Sequence, residues 1–433
     1  MPTPDQAMIN VLSGLVQFLP VGTNLGLFRF LWMLCSGHLL SSRGALFPAL
    51  LALGLEDAEV RRTGAAFRYG CWTIEELLLS WQSYVKTAGA WQARRHGGYR
   101  VRAVDITAFW RPKLKNCPSK HFHRLAGRAL PAVIVGMVGE VGQVGEQRLA
   151  LPTHLLRVRA NDGREATLQA DLLRVVAAKL ADDEVAAFDA GFRLRELQEA
   201  GVERYVVRLA RNVTACRADL PEREPGTKGR PREYGDVIRP LARQYGENHL
   251  DASEPDEQVD WTVDDVQLHA DLWHNLVRSD CKVADKAPRF SIAVIHDPRF
   301  KQPWVLAFNV PLSAAQVTAI YRDRWPIEQI PLAGKQMLGA QRQFVFAPES
   351  CQRLPQLALL AGSVLTYVAA TLPAIPTGFW DVDAKRTPGR LRRALARLPF
   401  PELSALPPRL RKKASVTGHL PKGVAGHRRQ KAS

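Results

Sequence analysis

The chain has 433 residues, enough for two or three domains, and its 46% hydrophobic and 23% charged content is ordinary for a soluble globular protein. Its six cysteines (Cys35, Cys71, Cys117, Cys216, Cys281 and Cys351) are scattered with no Cys-x-x-Cys pair, which argues against a structural zinc site and fits a reducing cytosol. Of the net charge of +17, +13 falls from Lys385 onward, where fourteen Lys/Arg accompany one acid, Glu402; residues 1–384 are nearly neutral, so affinity for polyanions is concentrated in the tail.

The N-terminus lacks the basic start of a secretory signal. Residues 9–34 are apolar but broken by Pro20, Gly22 and Asn24, and so read as two short helices rather than a membrane span. Apolar spacing of three and four predicts helices over 27–34, 44–53, 57–69 and 73–85, the last opened by a Thr73-Ile-Glu-Glu76 capping box. Residues 1–95 therefore read as a helical domain. With Arg43, Arg61, Arg62 and Arg68 it is a candidate for placing a helix in DNA, and equally a packing or dimerisation domain.

An α/β block follows. Residues 99–105 alternate like a strand running into Asp105; 129–138 and 147–151 read as two more strands joined by a Gly-rich turn at 139–145. A helix over 166–180, a short buried strand over 184–188 ending at Asp189, a helix over 193–200 stopped by Gly201 and a strand over 204–209 complete it. The order β-β-β-α-β-α-β is that of an RNase H-like mixed sheet with flanking helices.

Between 211 and 289 the pattern lapses into a Pro/Gly/Arg-rich loop over 221–240 and a run over 247–271 with nine acids and no Lys or Arg, read as an inserted subdomain. Paired strands over 290–296 and 304–310, a capped helix from Ser313 and an apolar core helix over 357–372 return to the block. The α/β block thus spans 96–210 and 290–373. Residues 374–433 form a basic tail, densest at Arg409, Arg411, Lys412 and Lys413, expected to stay disordered until it meets a polyanion.

The stretch from Tyr321 to Lys335 carries Tyr321, Arg324, Glu328 and Lys335 at offsets of zero, three, seven and fourteen, which align along one face of a regular helix. A carboxylate flanked by two cations and a phenol suits a divalent metal beside a phosphate; a solvated helix face with an Arg324–Glu328 pair is the plain alternative. Pro331 predicts a kink, Pro326 suits a helix start, and Gly334 adds freedom before Lys335. The spacing Y-x-x-R-x-x-x-E-x-x-x-x-x-x-K resembles the signature around the third acidic residue of DDE transposases of bacterial insertion sequences. The contexts Val104-Asp-Ile-Thr107 and Phe188-Asp-Ala-Gly-Phe192, followed by Tyr205-Val-Val-Arg-Leu209, resemble them too, so the likeness covers 99–372.

That resemblance implies a catalytic and metal-binding set of Asp105, Asp189 and Glu328. It would hold two Mg²⁺ ions, with Mn²⁺ able to substitute, for cleavage of transposon-end DNA and strand transfer. The implied partners are double-stranded DNA (inverted-repeat ends and target) and a second copy of the chain, with no membrane. Tyr321, Arg324 and Lys335 would hold the DNA backbone, and Trp304, ahead of Trp261 and Trp273, would stack on a flipped base. Arg111, Lys113, Lys115, Lys120, His121, His123 and Arg124, just after Asp105, are candidates for lining a DNA channel, and Arg208 is a further DNA-binding candidate. His121 and His123 as a metal pair are the weaker idea, because these ions prefer oxygen. Two alternatives stay open: a degenerate copy that binds DNA without cutting, and a nuclease of the same fold without strand transfer.

Overall fold

In the computed structural model, residues 2–115, 117, 119–158, 164–222, 230 and 232–412 are described. Four main helices open the chain: α1 (Pro4–Val16), α2 (Thr23–Cys35), α3 (Asp57–Tyr69) and α4 (Ile74–Thr87). The predicted capping box holds α4, with Thr73 Oγ1 accepting the Glu76 N–H at 3.2 Å. In α2 the run from Leu27 to Cys35 is apolar apart from Arg29 and buried throughout, so the helix must be enclosed by protein on all sides. Its surroundings include both the other helices and the sheet: all share one hydrophobic core, so residues 1–95 are not a separate domain.

The organising strand is β1 (Tyr99–Trp110), followed by the long hairpin β2 (Arg128–Val144) and β3 (Gln147–Arg157). Helix α5 (Glu165–Lys179), β4 (Glu184–Phe188), α6 (Leu194–Glu199) and β5 (Tyr205–Arg208) come next. Across this part of the sheet the strands lie in the order β3-β2-β1-β4-β5, with β1, β4 and β5 mutually parallel and β2 antiparallel to both its neighbours. The result is an α/β protein with one large mixed sheet, fourteen-stranded among the described residues.

The expected inserted subdomain is instead a continuation of that sheet. The insertion supplies β6 (Ala215–Arg217), β7 (Glu257–Val263) and β8 (Val266–Arg278), and the chain returns through β9 (Phe290–His296) and β10 (Trp304–Phe308). Strand β10 pairs with β5, β9 with β10, β8 with β9, and β6 and β7 both with β8. Part of the basic loop, residues 223–229 and 231, lies outside the described residues.

Side chains alternate between two cores. Val104, Ala186, Phe188, Val207 and Val305 face α5 and α6. Val101, Ala103, Ala187, Val206 and Leu306 face the helices of the chain's two ends. Those on the C-terminal side are α7 (Ala314–Asp323), α8 (Pro326–Leu332), α9 (Pro348–Thr371) and α10 (Pro388–Leu395). Among the described residues α9 alone is long and apolar enough to cross a membrane, and 89% of its apolar window is buried inside the fold, as a core helix requires.

The tail departs from expectation as far as residue 412. Leu391, Leu395, Leu406 and Leu410 are buried in the shared core, because their apolar side chains give this basic stretch an inward face. Residues 413–433, including Lys413, lie outside the described residues.

Candidate functional site

Strand register brings the two aspartates together. Ala103 of β1 lies opposite Ala187 of β4, and Ala187 opposite Val206 of β5. Two residues further along each strand direction stand Asp105, Asp189 and Arg208, one row on neighbouring strands about 4.8 Å apart. Their parity is that of Ala103, Ala187 and Val206, so the row faces the core to which Ile327 and Ile330 of α8 belong. Glu328 sits between those two apolar anchors.

The electrostatics follow from this crowding. Burial, then the charges of Asp189 and Glu328, push the Asp105 carboxyl up to about 7 against the opposing pull of Arg324. Its Oδ1 accepts the Ile106 N–H at 2.8 Å. Asp189 uses Oδ1 to accept the Gly191 N–H at 3.0 Å, the turn-forming role open to any strand-ending aspartate, while remaining within the field of Asp105. Arg324 is buried and its Nη2 lies 2.6 Å from Glu328 Oε1; its Nε and Nη1 are buried without a hydrogen-bond partner. Its guanidinium lies 5.6 Å from the centre of the Tyr321 ring.

The run from Tyr321 to Lys335 is not the regular helix that the offsets assume. Pro326 occupies the first turn of α8, and the preceding corner is tightened: the Ile327 and Glu328 N–H groups donate to the Arg324 and Trp325 carbonyls three residues back. Pro331, which has no N–H and whose ring crowds the carbonyl four residues earlier, is followed by a π-helical turn over Ala333–Met337. Gly334 serves close approach rather than freedom: a Cβ there would lie 2.9 Å from the Ala358 carbonyl oxygen of α9. Within the π turn, Lys335 Nζ donates to Thr107 Oγ1 at 2.5 Å and lies 5.2 and 5.3 Å from the Phe109 and Trp110 rings. Burial pushes this ammonium down to about 8, with Asp105 pulling it back up.

A cavity of about 1190 Å³ is lined by Arg208, Trp304, Tyr321 and Arg324 among the expected residues, and by none of the three acids. Trp261, Phe300, Arg148 and Lys301 also line it. The Trp304 ring lies 5.2 Å from Tyr321 in an edge-on arrangement and 4.8 Å from Phe300. The Trp261 Nε1–H is buried without a hydrogen-bond partner. Trp273 is a core residue, buried with Nε1 donating to the Glu254 carbonyl at 2.9 Å. Nothing in local sequence marks Arg148, Phe300 and Lys301, which only the sheet brings together.

One expectation needs correction. Arg111 does not line an open channel: it is buried, donating to Gln343 Oε1 at 3.0 Å and to the Val345 carbonyl at 2.5 Å, because the chain returning after the π turn needs an internal donor. His121 and His123 have their Nδ1 atoms engaged within the protein. Both flank Trp110; His121 Nδ1 lies 2.8 Å from Glu165, and His123 Nδ1 accepts the Ala126 N–H. Lys113, Lys115, Lys120 and Arg124 are exposed.

A second acid, on α7, escaped sequence reasoning. Asp323 is fully buried, with Arg94 Nε at 2.6 Å, His96 Nε2 at 2.8 Å and Arg148 Nη1 at 3.2 Å. Burial works against its charge, but the hydrogen bonds from His96 and Arg94 prevail and hold its carboxyl below the usual range. Asp297, bonded by Arg299 and Arg322, is held down at about 2. Both acids tie α7 to the sheet.

Asp105, Asp189 and Glu328 are hard oxygen donors whose mutual repulsion Arg324 only partly offsets, which fits a cation. Among the described residues no three His, Cys, Asp or Glu side chains are drawn together tightly enough to hold one ion as they stand. Neither a scan against protein-family models nor a search of curated proteins returns a match to this chain.

Proposed function

We propose that the chain is a DDE transposase on an RNase H-like sheet, cutting transposon-end DNA and joining it to target DNA in a metal-dependent reaction. The observation that carries this reading is strand register: Asp105 and Asp189 stand at the same level on neighbouring parallel strands, and Glu328, from a distant part of the chain, is near enough for its charge to act on Asp105. The strand order β3-β2-β1-β4-β5 and the Tyr321, Arg324, Glu328, Lys335 spacing support it.

Two Mg²⁺ ions, or Mn²⁺, held by Asp105, Asp189 and Glu328 would activate a water or 3′-hydroxyl and stabilise the leaving oxygen of an in-line phosphoryl displacement. Asp105 must lose its proton to serve as a ligand, and Lys335, charged below about 8, favours that loss. Glu328 offers the oxygen that Arg324 does not hold. The free Nε and Nη1 of Arg324 are donors suited to a phosphate oxygen, and Arg208 adds a cation along the same row. Trp304, braced by Tyr321 and Phe300, offers a face for an unstacked base at the cavity. The reading brings with it a dimer on paired DNA ends and a place in the cytoplasm at the nucleoid.

The test is a Mg²⁺ nicking assay on DNA spanning both flanks of the reading frame, searched first for inverted repeats. Glu328→Gln should abolish nicking and leave binding; undiminished cleavage by that variant eliminates the mechanism. A DNA-binding copy that does not cut is the second reading, favoured by Pro331 and the π turn around Lys335. Its mark is binding without any metal-dependent product. Pre-cut ends supplied with a target plasmid separate a nuclease from a transposase, since only the latter yields joined products.

A further inference from the structure

We propose that the hairpin spanning residues 120–128 is an arm that grips duplex DNA, with Leu125 as an apolar wedge at its tip. The inference rests on the transposase reading for the position of the reacting phosphate.

Residues 111–130 hold six Lys/Arg and no acid. Arg111 is internal, but Lys113, Lys115, Lys120, Arg124 and Arg128 are all exposed. The strand Lys120–His123 pairs with the start of β2, Lys120 opposite Pro131 and His123 opposite Arg128. His121 and His123 turn back to Trp110, which leaves Lys120 and Phe122 on the opposite, open face, with Phe122 58% exposed.

The tip has a defined shape. Arg124–Ala126 form a single 3₁₀ turn, capped by the His123 ring and closed by Gly127 at φ +61°, which a glycine adopts without strain. This turn presents Leu125 at 94% exposure between Arg124 and Arg128. An apolar side chain held out on a fixed turn and flanked by cations has the composition of wedges that enter between base steps while basic neighbours hold the phosphates. Charge selects the occupant: five exposed cations without an acid in the segment complement a polyanion, not a mixed protein surface.

Reach agrees with this. Met137 lies opposite Asp105, and Arg128 is on the same strand. The step from Met137 back to Arg128, nine residues at about 3.3 Å each, puts the tip roughly 30 Å from the acids. That is close to one turn of B-DNA, about 34 Å. The arm would therefore meet the duplex about one helical turn from the phosphate at Asp105.

The test uses the full chain and a fluorescein-labelled mixed-sequence duplex of about 40 base pairs, titrated by anisotropy from about 50 to about 200 mM KCl. The triple variant Lys120→Gln, Arg124→Gln, Arg128→Gln should weaken binding at least tenfold. It should also flatten the slope of log K against log salt by about 2 to 3, since each phosphate left unneutralised subtracts about 0.9. Leu125→Ser should weaken binding several-fold with the slope unchanged, and reduce the bend read by energy transfer between labelled duplex ends. If the triple variant fails to fold, Arg124→Gln alone should flatten the slope by about 1.

Binding and slopes equal to wild type in these variants overturn the proposal. So does a change in oligomer mass on Leu125→Ser with DNA binding unchanged, which would make the tip an interface between copies. Nicking in Mg²⁺ is read in parallel on DNA spanning both flanks of the reading frame. Variant-sensitive binding without nicking by wild type sinks the transposase reading and keeps the arm; nicking with variant-insensitive binding does the reverse. A wild-type chain that binds no duplex overturns both.

Discussion

Asp105 and Asp323 are acids facing the interior of one fold, yet their charges are managed in opposite ways. Asp323 has Arg94, His96 and Arg148 within 3.2 Å, and its carboxyl is held below the ordinary range. Asp105 has burial, Asp189 and Glu328 working against its charge and is pushed up to about 7. Three basic side chains around one acid leave nothing for a ligand to add, whereas acids that raise one another with only Arg324 opposing them leave charge for a ligand to neutralise. Pairing thus separates the acid that fastens α7 to the sheet from the acids that could do chemistry.

Activity separates the two most sharply. Asp105→Asn should lower Mg²⁺-dependent nicking by roughly a thousandfold or more, since it removes a proposed metal ligand and leaves the packing in place. Asp323→Asn should do the converse. Leaving Arg94 and Arg148 without their anion should cost about 3 to 5 kcal/mol, read as a fall in urea midpoint, and activity should decline only in step with the folded fraction.

A subtler difference lies in pH. In the metal-free protein the folded-state pKa of Asp105 is above that of the unfolded chain, so the folded state binds the extra proton between about pH 4 and 7. Its contribution to stability is full below about pH 4 and is lost as pH rises towards 7, on the order of 2 to 4 kcal/mol. Asp105→Asn should remove that fall, and urea melts of both proteins at about pH 5 and about pH 8 check it. Asp323 has the opposite sign: its contribution is present above the ordinary carboxyl range and fades as pH drops below it. Smaller still, Gly334→Ala should cost about 1 to 3 kcal/mol in the same melts, because its Cβ would press on the Ala358 carbonyl where α9 crosses the π turn.

Much of this layout was legible in the sequence because period and punctuation agree. The bounds 57–69, 184–188 and 290–296 match their elements, and the caps at Thr73 and Ser313 form as expected. Glycine misled where its role is long-range. The stretch 139–145 reads as a turn, yet β2 runs on to Val144 and the turn is Gly145–Glu146. A Cβ at Gly139 would lie 2.7 Å from Ile327, and one at Gly142 2.2 Å from the Trp91 ring, so these glycines make room for packing partners. Arg111 misled similarly: a basic neighbourhood says nothing about which cation turns inward. The three acids stand out by their sequence contexts and the bend by Pro331, but the π-helical turn that follows leaves no such mark, since a helical wheel assumes the hydrogen bonds that Pro331 cannot make. The arginines and histidine around Asp323 lie 175 or more residues before it in the chain and leave no local trace.

The most direct measurement is a crystal of the protein grown with Mn²⁺ and measured at the manganese absorption edge. Anomalous density is expected against the carboxylates of Asp105, Asp189 and Glu328, and should vanish in Asp105→Asn. Manganese bound elsewhere, or absent from these three acids at saturating concentration, would contradict the proposed metal site.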